Sequence, residues 1–267
     1  MVKVLIMGPN GKMGRAMVKS AERNADVRVV GGVGPKGRDY IGMDLGPLVG
    51  LGRSIGARVY DDIRAIIDEC DVVLDCTTPE ASMQTLKTCL ERKKALVVGT
   101  TGFSDEQRRE LREAGQVIPV LPASNTSPIV HLLYHLIQTV TQKVGMSADI
   151  DIVEMHKNTK VDAPSGTAKE IGHIIAGELG ADLDEIAEHG RVGNSARSPH
   201  TIQFSSIRSG GIPSSHQVIF GFQNERLELT HHAYNMDAFA DGMIAAALFI
   251  SDKDSGCYDL EEAFGHS

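Results

Sequence analysis

The sequence predicts an α/β protein of two domains: a Rossmann-type parallel-sheet domain, then an α+β domain with a mixed sheet. A short β-branched segment, a glycine-rich turn and a helical segment open the chain. Strand-like and helix-like segments then alternate, as in a doubly wound sheet. Beyond a long amphipathic helix, apolar and polar residues alternate along several strands. We expect residues 1–127 and 236–267 to form the first domain, and residues 128–235 the second.

The composition narrows the possible function classes. The formal net charge is -8, whereas nucleic-acid-binding surfaces are basic, so we expect no nucleic-acid partner. The four cysteines lack zinc-ligand spacing and predict reduced thiols and no metal site. The longest apolar segment, "MIAAALFI", is far shorter than the ~20 residues of a membrane span, and no signal peptide is recognisable. These features predict a soluble, cytoplasmic protein without a membrane partner.

The first strand, turn and helix have the pattern of a dinucleotide-binding unit. "VKVLIM" predicts a strand and "RAMVKSAERN" a helix, with "GPNGKMG" between them. Its glycines allow a tight turn, close approach of a pyrophosphate to the backbone, and close packing of helix on strand. The helix N-terminus adds unpaired N–H groups for the phosphates. We therefore predict nucleotide binding by Gly8, Gly11, Lys12, Met13 and Gly14.

The end of the second strand indicates which nucleotide is preferred. Enzymes specific for NAD usually carry an Asp or Glu there, but "DVRVVGGV" is followed by "GPKGRDY". Lys36 and Arg38 suit the 2′-phosphate of NADPH, which is therefore favoured, with NADH as the second choice. The alternative is a solvated loop with ordinary surface charge.

The following segments continue the first domain. "ARVYDDIRAIIDEC" predicts a strand and then a helix, and "DVVLDCT" a buried strand. "PEASMQTLKTCLERK" is a helix with Pro79 near its first turn, and "ALVVGTTGF" a buried strand with a polar loop. "SDEQRRELREAG" is a charged helix, and "VIPVLPASNTS" a strand ending in a turn. Four or five parallel strands result.

Polar loops follow three of these strands at their carboxyl ends. Ligands of doubly wound sheets bind at that edge, so we expect these loops to line the nicotinamide end of the cofactor site. Their candidate residues are Thr77, Gly99, Thr100, Thr101, Ser124, Asn125 and Thr126.

The second half predicts a different architecture. "SPIVHLLYHLIQTVTQKVG" is an amphipathic helix, and "ADIDIVEMH" alternates like a half-exposed strand. "HTIQFSSIRSG", "SHQVIFGFQ" and "ERLELTHHA" predict further strands of a mixed or antiparallel sheet, covered on one face by helices. The helix "MDAFADGMIAAALFISDK" is expected to return to the first domain, followed by a short tail.

The segment "EMHKNTKVDAPSGTA", residues 154–168, brings polar side chains to a helix start. Thr167 and Glu170 fit a capping box for the helix "TAKEIGHIIAGEL". The backbone amides of residues 165–167 are then available to hold a carboxylate. The alternative is an ordinary helix start without a ligand.

Charged and titratable residues precede that helix. His156 lies at the strand end, where a group that titrates near neutral pH can act as an acid. Glu154, two residues earlier, faces the same side of the strand. Lys160 adds a positive charge. Each could be a structural or surface residue, but their coincidence beside a dinucleotide frame favours a functional site. We expect four other histidines to be structural: His131, His135, His231 and His232.

The sequence resembles the 4-hydroxy-tetrahydrodipicolinate (dihydrodipicolinate) reductases of lysine and diaminopimelate biosynthesis. The resemblance covers nearly the whole chain and is carried by "GPNGKMGR", "DCTTPE", "VVGTTGF", "ASNTS", "KVDAPSGTA" and "ERLELTH". It implies an NAD(P)H-dependent homotetrameric reductase. The first domain would bind the nucleotide, and the second the substrate and the other subunits.

The resemblance also implies roles for the central residues. The substrate is a cyclic imine or conjugated diene with two carboxylates. His156 is the leading proton donor and Lys160 its competitor. Lys160 binds one carboxylate together with a cradle of Ser165, Gly166 and Thr167.

The chain departs from the family pattern at two positions. Lys157 replaces a second histidine and is expected to contact the second carboxylate. Gly34 is nearest to the place of the acidic nucleotide-selecting residue. Two alternatives therefore stay open: a reductase of the same fold for another cyclic imino acid, and a non-catalytic NADPH-binding sensor.

Overall fold

Two β-sheets organise the part of the chain that the structure describes. The computed structural model covers residues 1–123 and 125–265. The chain divides into two units, Met1–Pro128 with Met236–Ser267, and Ile129–Asn235. One unit contains a parallel sheet and the other a mixed sheet, so the predicted fold class is confirmed.

Strands and helices alternate along the first part of the chain. In order, they are β1 (Val2–Met7), α1 (Lys12–Arg23), β2 (Val27–Val33), α2 (Leu45–Val49), β3 (Arg58–Tyr60), β4 (Val72–Asp75), α3 (Pro79–Arg92), β5 (Ala95–Val98), α4 (Asp105–Ala114) and β6 (Pro119–Pro122). Side chains cap α3 and α4: Thr78 precedes α3, which has Pro79 in its first turn, and Ser104 forms a capping box with Gln107 at α4.

The second unit has a mixed sheet with helices on one face. Its elements are α5 (Pro128–Val144), β7 (Asp149–His156), α6 (Gly166–Glu178), α7 (Leu183–Ile186), β8 (Ala187–His189), β9 (Ile202–Arg208), β10 (Ser214–Gly221) and β11 (Arg226–Ala233). Within the described residues the strand order is β11-β10-β7-β9-β8. β7, β9 and β8 run parallel, and β10 is antiparallel to both β7 and β11.

The last segment of the chain completes the first sheet. It contains α8 (Asp237–Ile250), β12 (Gly256–Cys257) and α9 (Leu260–Phe264). Across residues 1–123 and 125–265, the first sheet has seven strands in the order β12-β6-β5-β4-β1-β2-β3. α8 packs beside α1, and Arg23 of α1 pairs with Asp241 of α8 at 2.8 Å. None of the described helices combines the length and the apolar composition needed to cross a membrane.

Both faces of the first sheet are covered. Val4 and Ile6 of β1 pack in a cluster with residues of α1 and α8. Leu5, between them, packs on the other face with residues of α3 and α4, such as Leu86 and Leu111. Because side chains alternate along a strand, strands covered on both faces are apolar throughout. This explains the continuous apolar segments at β4 and β5.

One predicted helix is wrong. After β3, residues 63–69 form two 3₁₀ turns, Ile63–Ala65 and Ile67–Glu69, instead of an α-helix. Ile66 adopts φ -138° and ψ -18°, which interrupts the helical path between them. Ile63, Ile66 and Ile67 are β-branched, which lowers the helix propensity of this short segment.

The tail after α8 contains two elements that the sequence does not predict. Gly256 and Cys257 pair with Pro119 and Val120, which adds β12 to the edge of the sheet. α9 follows, and its Leu260 is buried in the core. The sheet consequently has more strands than the four or five that the sequence predicts.

Candidate active site

The glycine turn after β1 has the geometry of a pyrophosphate site. Gly8 has φ +64°, and the Gly11 amide donates to its carbonyl at 3.0 Å. A Cβ at Gly14 would lie 2.1 Å from the Gly8 carbonyl oxygen, so only glycine lets α1 approach the turn this closely. Gly11, which has no side chain to cap the helix, precedes the exposed Lys12. The first-turn amides and a lysine therefore fit a bound pyrophosphate.

A cleft of 610 Å³ adjoins this turn, a size typical of ligand sites. Gly8, Gly34 and Thr77 line it at the carboxyl ends of β1, β2 and β4. Polar side chains of α3 form the opposite wall: Gln84, Thr85 and Thr88. Of the nucleotide-binding residues that the sequence predicts, Gly8 and Thr77 line this cleft.

The loop after β2 presents two cations, and residues 31–37, where its nucleotide-selecting acid is expected, contain no Asp or Glu. Lys36 and Arg38 are exposed in this loop. A Cβ at Gly34 would lie 2.7 Å from the ring of Tyr40, so this ring occupies the space of a side chain at position 34. The place of the missing acidic residue is thus filled by an aromatic ring.

A chain of hydroxyl groups joins the loops after β4 and β5. Thr77 donates its hydroxyl to the buried carboxylate of Asp75 at 2.6 Å, and its own amide donates to the same oxygen at 2.9 Å. Ser82 bonds Thr100 at 2.8 Å. Thr77 and Ser82 are 3.5 Å apart, which makes the chain continuous. Two predicted cofactor-binding threonines are thereby held together.

The remaining predicted nucleotide residues have varied surroundings. A Cβ at Gly99 would meet the Cys76 sulfur at 2.5 Å, so this glycine is required by packing. Thr101 is exposed. Thr126 is buried and donates its hydroxyl to the Phe239 carbonyl at 2.6 Å. Asn125 accepts a hydrogen bond from the Ser127 amide at 3.0 Å. Ser124 lies outside the described residues.

In the second unit, Glu154 organises the strand end. Its carboxylate is buried. It accepts hydrogen bonds from Nδ1 of His156 at 2.6 Å, from Arg208 at 2.7 and 2.8 Å, and from the Ser165 amide at 3.2 Å. Burial opposes its ionisation, but hydrogen bonds from Arg208, Ser206 and His156 prevail and lower the pKa of Glu154 to about 2. An ionised carboxylate can only accept hydrogen bonds, so Nδ1 of His156 carries a proton.

His156 and Lys160 lie within electrostatic reach of each other. Burial lowers the pKa of His156, Glu154 acts in the opposite direction, and the charges of Lys160 and Arg208 lower it further. Lys160 pairs with Asp162 at 2.7 Å. Lys157 is exposed, and its carbonyl accepts the Lys160 amide at 3.0 Å. The structure thus brings the predicted proton donor and the predicted carboxylate-binding lysine into one cluster.

The helix start differs from the predicted capping box, which is wrong. Ser165 is the N-cap of α6 and accepts the Ala168 amide at 3.2 Å, so the cap lies two residues before Thr167. The hydroxyl of Thr167 instead bonds Tyr134. Since the Ser165 amide is bound to Glu154, the first-turn amides of Gly166 and Thr167 form the candidate carboxylate cradle. A Cβ at Gly166 would have no atom within 4 Å among the described residues, which leaves room for a ligand.

Sequence reasoning misses two residues of this cluster, Arg208 and His216. His216 is buried, its Nε2 is 3.1 Å from the Ser165 hydroxyl, and its ring centroid is 5.3 Å from that of His156. Burial lowers the pKa of His216 to about 3, so its imidazole is neutral. Strand alternation indicates that His216 points inward. Only the register, in which His216 pairs with Glu154 and Arg208 with His156, places both beside the motif.

Comparison with known proteins identifies the family. Two family models match consecutive parts of the chain: Dihydrodipicolinate reductase, N-terminus, over residues 2–126, and Dihydrodipicolinate reductase, C-terminus, over residues 129–264. The chain is 41% identical to a 4-hydroxy-tetrahydrodipicolinate reductase of Colwellia psychrerythraea, over 99% of this chain and 98% of the relative. It is 37% identical to one of Neisseria gonorrhoeae, over 99% and 97% respectively.

A solved structure supports the same relationship. The dipicolinate-bound dihydrodipicolinate reductase from Paenisporosarcina sp. TG-14 superposes with a TM-score of 0.74 and 25% identity, over 98% of both chains. The sequence motifs, the two sheets and these relatives agree, and the chain belongs to the dihydrodipicolinate reductase family.

Proposed function

We propose that this chain catalyses the NAD(P)H-dependent reduction of 4-hydroxy-tetrahydrodipicolinate (dihydrodipicolinate) to tetrahydrodipicolinate in lysine and diaminopimelate biosynthesis, in the cytoplasm. Membership of the reductase family supports this activity. The observation that carries it is the cluster of His156, Lys160 and the start of α6, because a nucleotide-binding protein without chemistry has no need of it.

The substrate is a small ring with two carboxylates, and the cluster offers cations and amides to both. Lys160 and the amides of Gly166 and Thr167 bind one carboxylate, with Ser165 holding the helix start in place. Lys157, exposed in the same segment, is the proposed cation for the second carboxylate. Fixing both ends orients the ring, and orientation of this kind contributes up to roughly 7–11 kcal/mol to catalysis.

His156 is the proposed proton donor, with Lys160 as the competing one. Because Nδ1 of His156 is held by Glu154, Nε2 is the atom left to deliver a proton. The pKa of His156 is below its usual value without substrate, but two nearby carboxylates would raise it and favour the protonated form. Substrate binding therefore charges the donor when it is needed.

The first unit supplies the coenzyme site. A reduced nicotinamide, when bound, supplies the hydride. The glycine turn holds the pyrophosphate, and the hydroxyl-rich loops after β4, β5 and β6 surround the nicotinamide end. We propose NADPH as the preferred coenzyme, because Lys36 and Arg38 are exposed after β2 and residues 31–37 contain no Asp or Glu.

Self-association into a homotetramer belongs to the same proposal. One face of the second sheet packs on helices, but the other exposes or half-exposes the apolar side chains of Val153, Met155, Ile207 and Ile219. An apolar sheet face of this kind is suited to pack against a second copy.

The test is a coupled assay in which a synthase generates the substrate and nucleotide absorbance is followed with NADPH and NADH. We expect turnover, faster with NADPH. Lys160→Ala should lower kcat/KM by about 10²–10³-fold, since it removes both a charge and a candidate donor, while NADPH affinity changes little. Lys143→Ala, which removes an exposed lysine of α5, is the matched control and should keep full activity.

Each contrary result has a distinct meaning. Nucleotide binding without turnover in the unaltered protein would favour a sensor or a reductase of another cyclic imino acid. A large loss of NADPH affinity in Lys160→Ala would contradict the role given to this lysine.

A further inference from the structure

Glu154 connects two parts of the candidate site. Its Oε2 accepts a hydrogen bond from Nδ1 of His156. Its Oε1 accepts one from the amide of Ser165, the residue that caps α6. The proposed proton donor and the proposed carboxylate cradle are therefore fixed to the same carboxylate. Their relative position depends on how firmly Glu154 itself is held.

Arg208, at the end of β9, holds Glu154 on both oxygens. Its Nη1 donates to Oε2 at 2.8 Å and its Nη2 to Oε1 at 2.7 Å. Such a two-point contact fixes the plane of the carboxylate as well as its position. The side chain of Glu154 is 1% exposed and that of Arg208 is 18% exposed, so solvent does not compete for the pair.

The same guanidinium reaches the loop that carries Lys160. Nη2 of Arg208 also donates to the carbonyl of Asp162. The side chain of Asp162 pairs with Lys160 at 2.7 Å. One side chain thus contacts, directly or through one residue, the proton donor, the helix start and the loop of the charged lysine.

We propose that Arg208 is a positioning residue of the reductase reaction, which aligns His156, the α6 cradle and the Lys160 loop through Glu154 and the Asp162 carbonyl. The inference rests on the proposed reductase function. A lysine cannot replace this arginine, because one ammonium cannot present parallel donors to both carboxylate oxygens and still bond a third acceptor in a fixed plane.

The charge of Arg208 provides a readout that a purely structural role would not change. The groups facing His156 are Glu154 on β7, Lys160 and Asp162 in the following loop, Arg208 on β9 and neutral His216 on β10. The positive charge of Arg208 lowers the pKa of His156. Removing this charge while Glu154 stays ionised should raise the pKa of the donor.

The experiment compares Arg208→Gln and Arg208→Lys in the coupled assay over a range of pH. Both should lower kcat by about 10–100-fold, because a misplacement of the reacting groups by about 1 Å can cost 10²-fold, with NADPH affinity within about two-fold. In Arg208→Gln, the pH at which kcat falls on the alkaline side should move upward. In Arg208→Lys, which keeps the charge, this pH should stay in place.

Arg197, in the loop between β8 and β9, is the matched control. Its side chain is 17% exposed, pairs with Asp151 at 2.8 Å, and donates to the carbonyls of Ile150 and Thr201. Arg197→Gln and Arg197→Lys should change thermal stability without moving the alkaline limb of the kcat profile.

Several outcomes would overturn the inference. Unchanged kcat in both Arg208 variants would do so, as would losses that match those of the Arg197 variants at equal stability. If Arg208→Gln does not fold, a full kcat in Arg208→Lys decides against the proposal and a reduced kcat at unchanged NADPH affinity supports it. Absence of turnover in the unaltered protein would instead refute the proposed function.

Discussion

At the scale of single residues, the central motif could be read from the sequence because its members are neighbours in the chain. His156, Lys160 and Gly166 lie in one short segment, and strand alternation correctly places Glu154 beside His156. Arg208 lies 54 positions from Glu154 and reaches it only through the pairing of β7 with β9. The register between strands that are distant in sequence cannot be derived from alternation alone. The contact of Arg208 with Glu154 is therefore not predicted.

The buried carboxylate of Glu154 predicts how stability depends on pH. Its pKa is lowered from a usual value of 4.5 to about 2 in the folded chain, by the hydrogen bonds of Arg208, Ser206 and His156 against the effect of burial. A depressed carboxylate pKa stabilises the fold above the unfolded value, and this contribution is lost as the pH falls through the folded value. The free energy of unfolding should therefore decline between about pH 4.5 and pH 2.

Urea denaturation at fixed protein concentration, repeated at a series of pH values from about 6 downward, measures this decline in the free energy of unfolding. Glu154→Gln is the comparison, because it keeps the shape of the side chain but cannot ionise. It should be less stable at neutral pH and lose less on acidification. An equal loss in both proteins would show that other carboxylates account for the acid sensitivity.

At the scale of secondary structure, the long elements are predicted, whereas the short strands β8 and β12 are not. β8 and β12 have three and two residues, too few for any periodicity to appear in the sequence. The start of α6 shows a related difficulty. Both Ser165 and Thr167 are suitable caps, and the extended backbone of Ser165, φ -64° and ψ 159°, decides between them.

We expect replacement of glycine by alanine to have opposite effects on stability at Gly14 in α1 and at Gly177 in α6. Gly14→Ala should destabilise the protein by about 3 kcal/mol and abolish nucleotide binding, because the added carbon would lie 2.1 Å from the Gly8 carbonyl oxygen. Gly177→Ala, in α6, should stabilise it by roughly 0.5–1 kcal/mol, since alanine is the better helix former. A Cβ at Gly177 would have no atom within 4 Å among the described residues.

Chemical denaturation and NADPH titration of the two variants distinguish packing from propensity. If Gly14→Ala leaves the denaturation midpoint unchanged or raises it, the close approach of α1 to the glycine turn does not limit stability.

At the scale of the whole chain, the strands of the two sheets differ in their pattern of apolar residues. β4 and β5 are buried on both faces and read as continuous apolar segments. β7 alternates between buried and partly exposed residues along its length, which requires one covered face and one open face. The sequence therefore predicts a difference between the two halves, but it does not show what meets the open face.

The open face of the second sheet leads to a prediction about assembly. Val153 lies on central strand β7 with the uncharged Ser205 and Gln217 as its paired neighbours, and Asp151, on the same face, is already paired with Arg197 at 2.8 Å. If subunits pack on this face, Val153→Lys should desolvate an unpaired ammonium in the interface and dissociate the tetramer. Light scattering during size-exclusion chromatography measures the mass.

Val117→Lys is the control, because it places the same charge at an exposed apolar residue in a turn of the first unit. The unaltered protein and this control should both have the mass of a tetramer. If the unaltered protein is monomeric, or if the Val153→Lys variant remains tetrameric, the open face is not the subunit interface. Because the opposite face of β7 carries Glu154 and His156, dissociation should also lower activity if subunit packing keeps this strand in place.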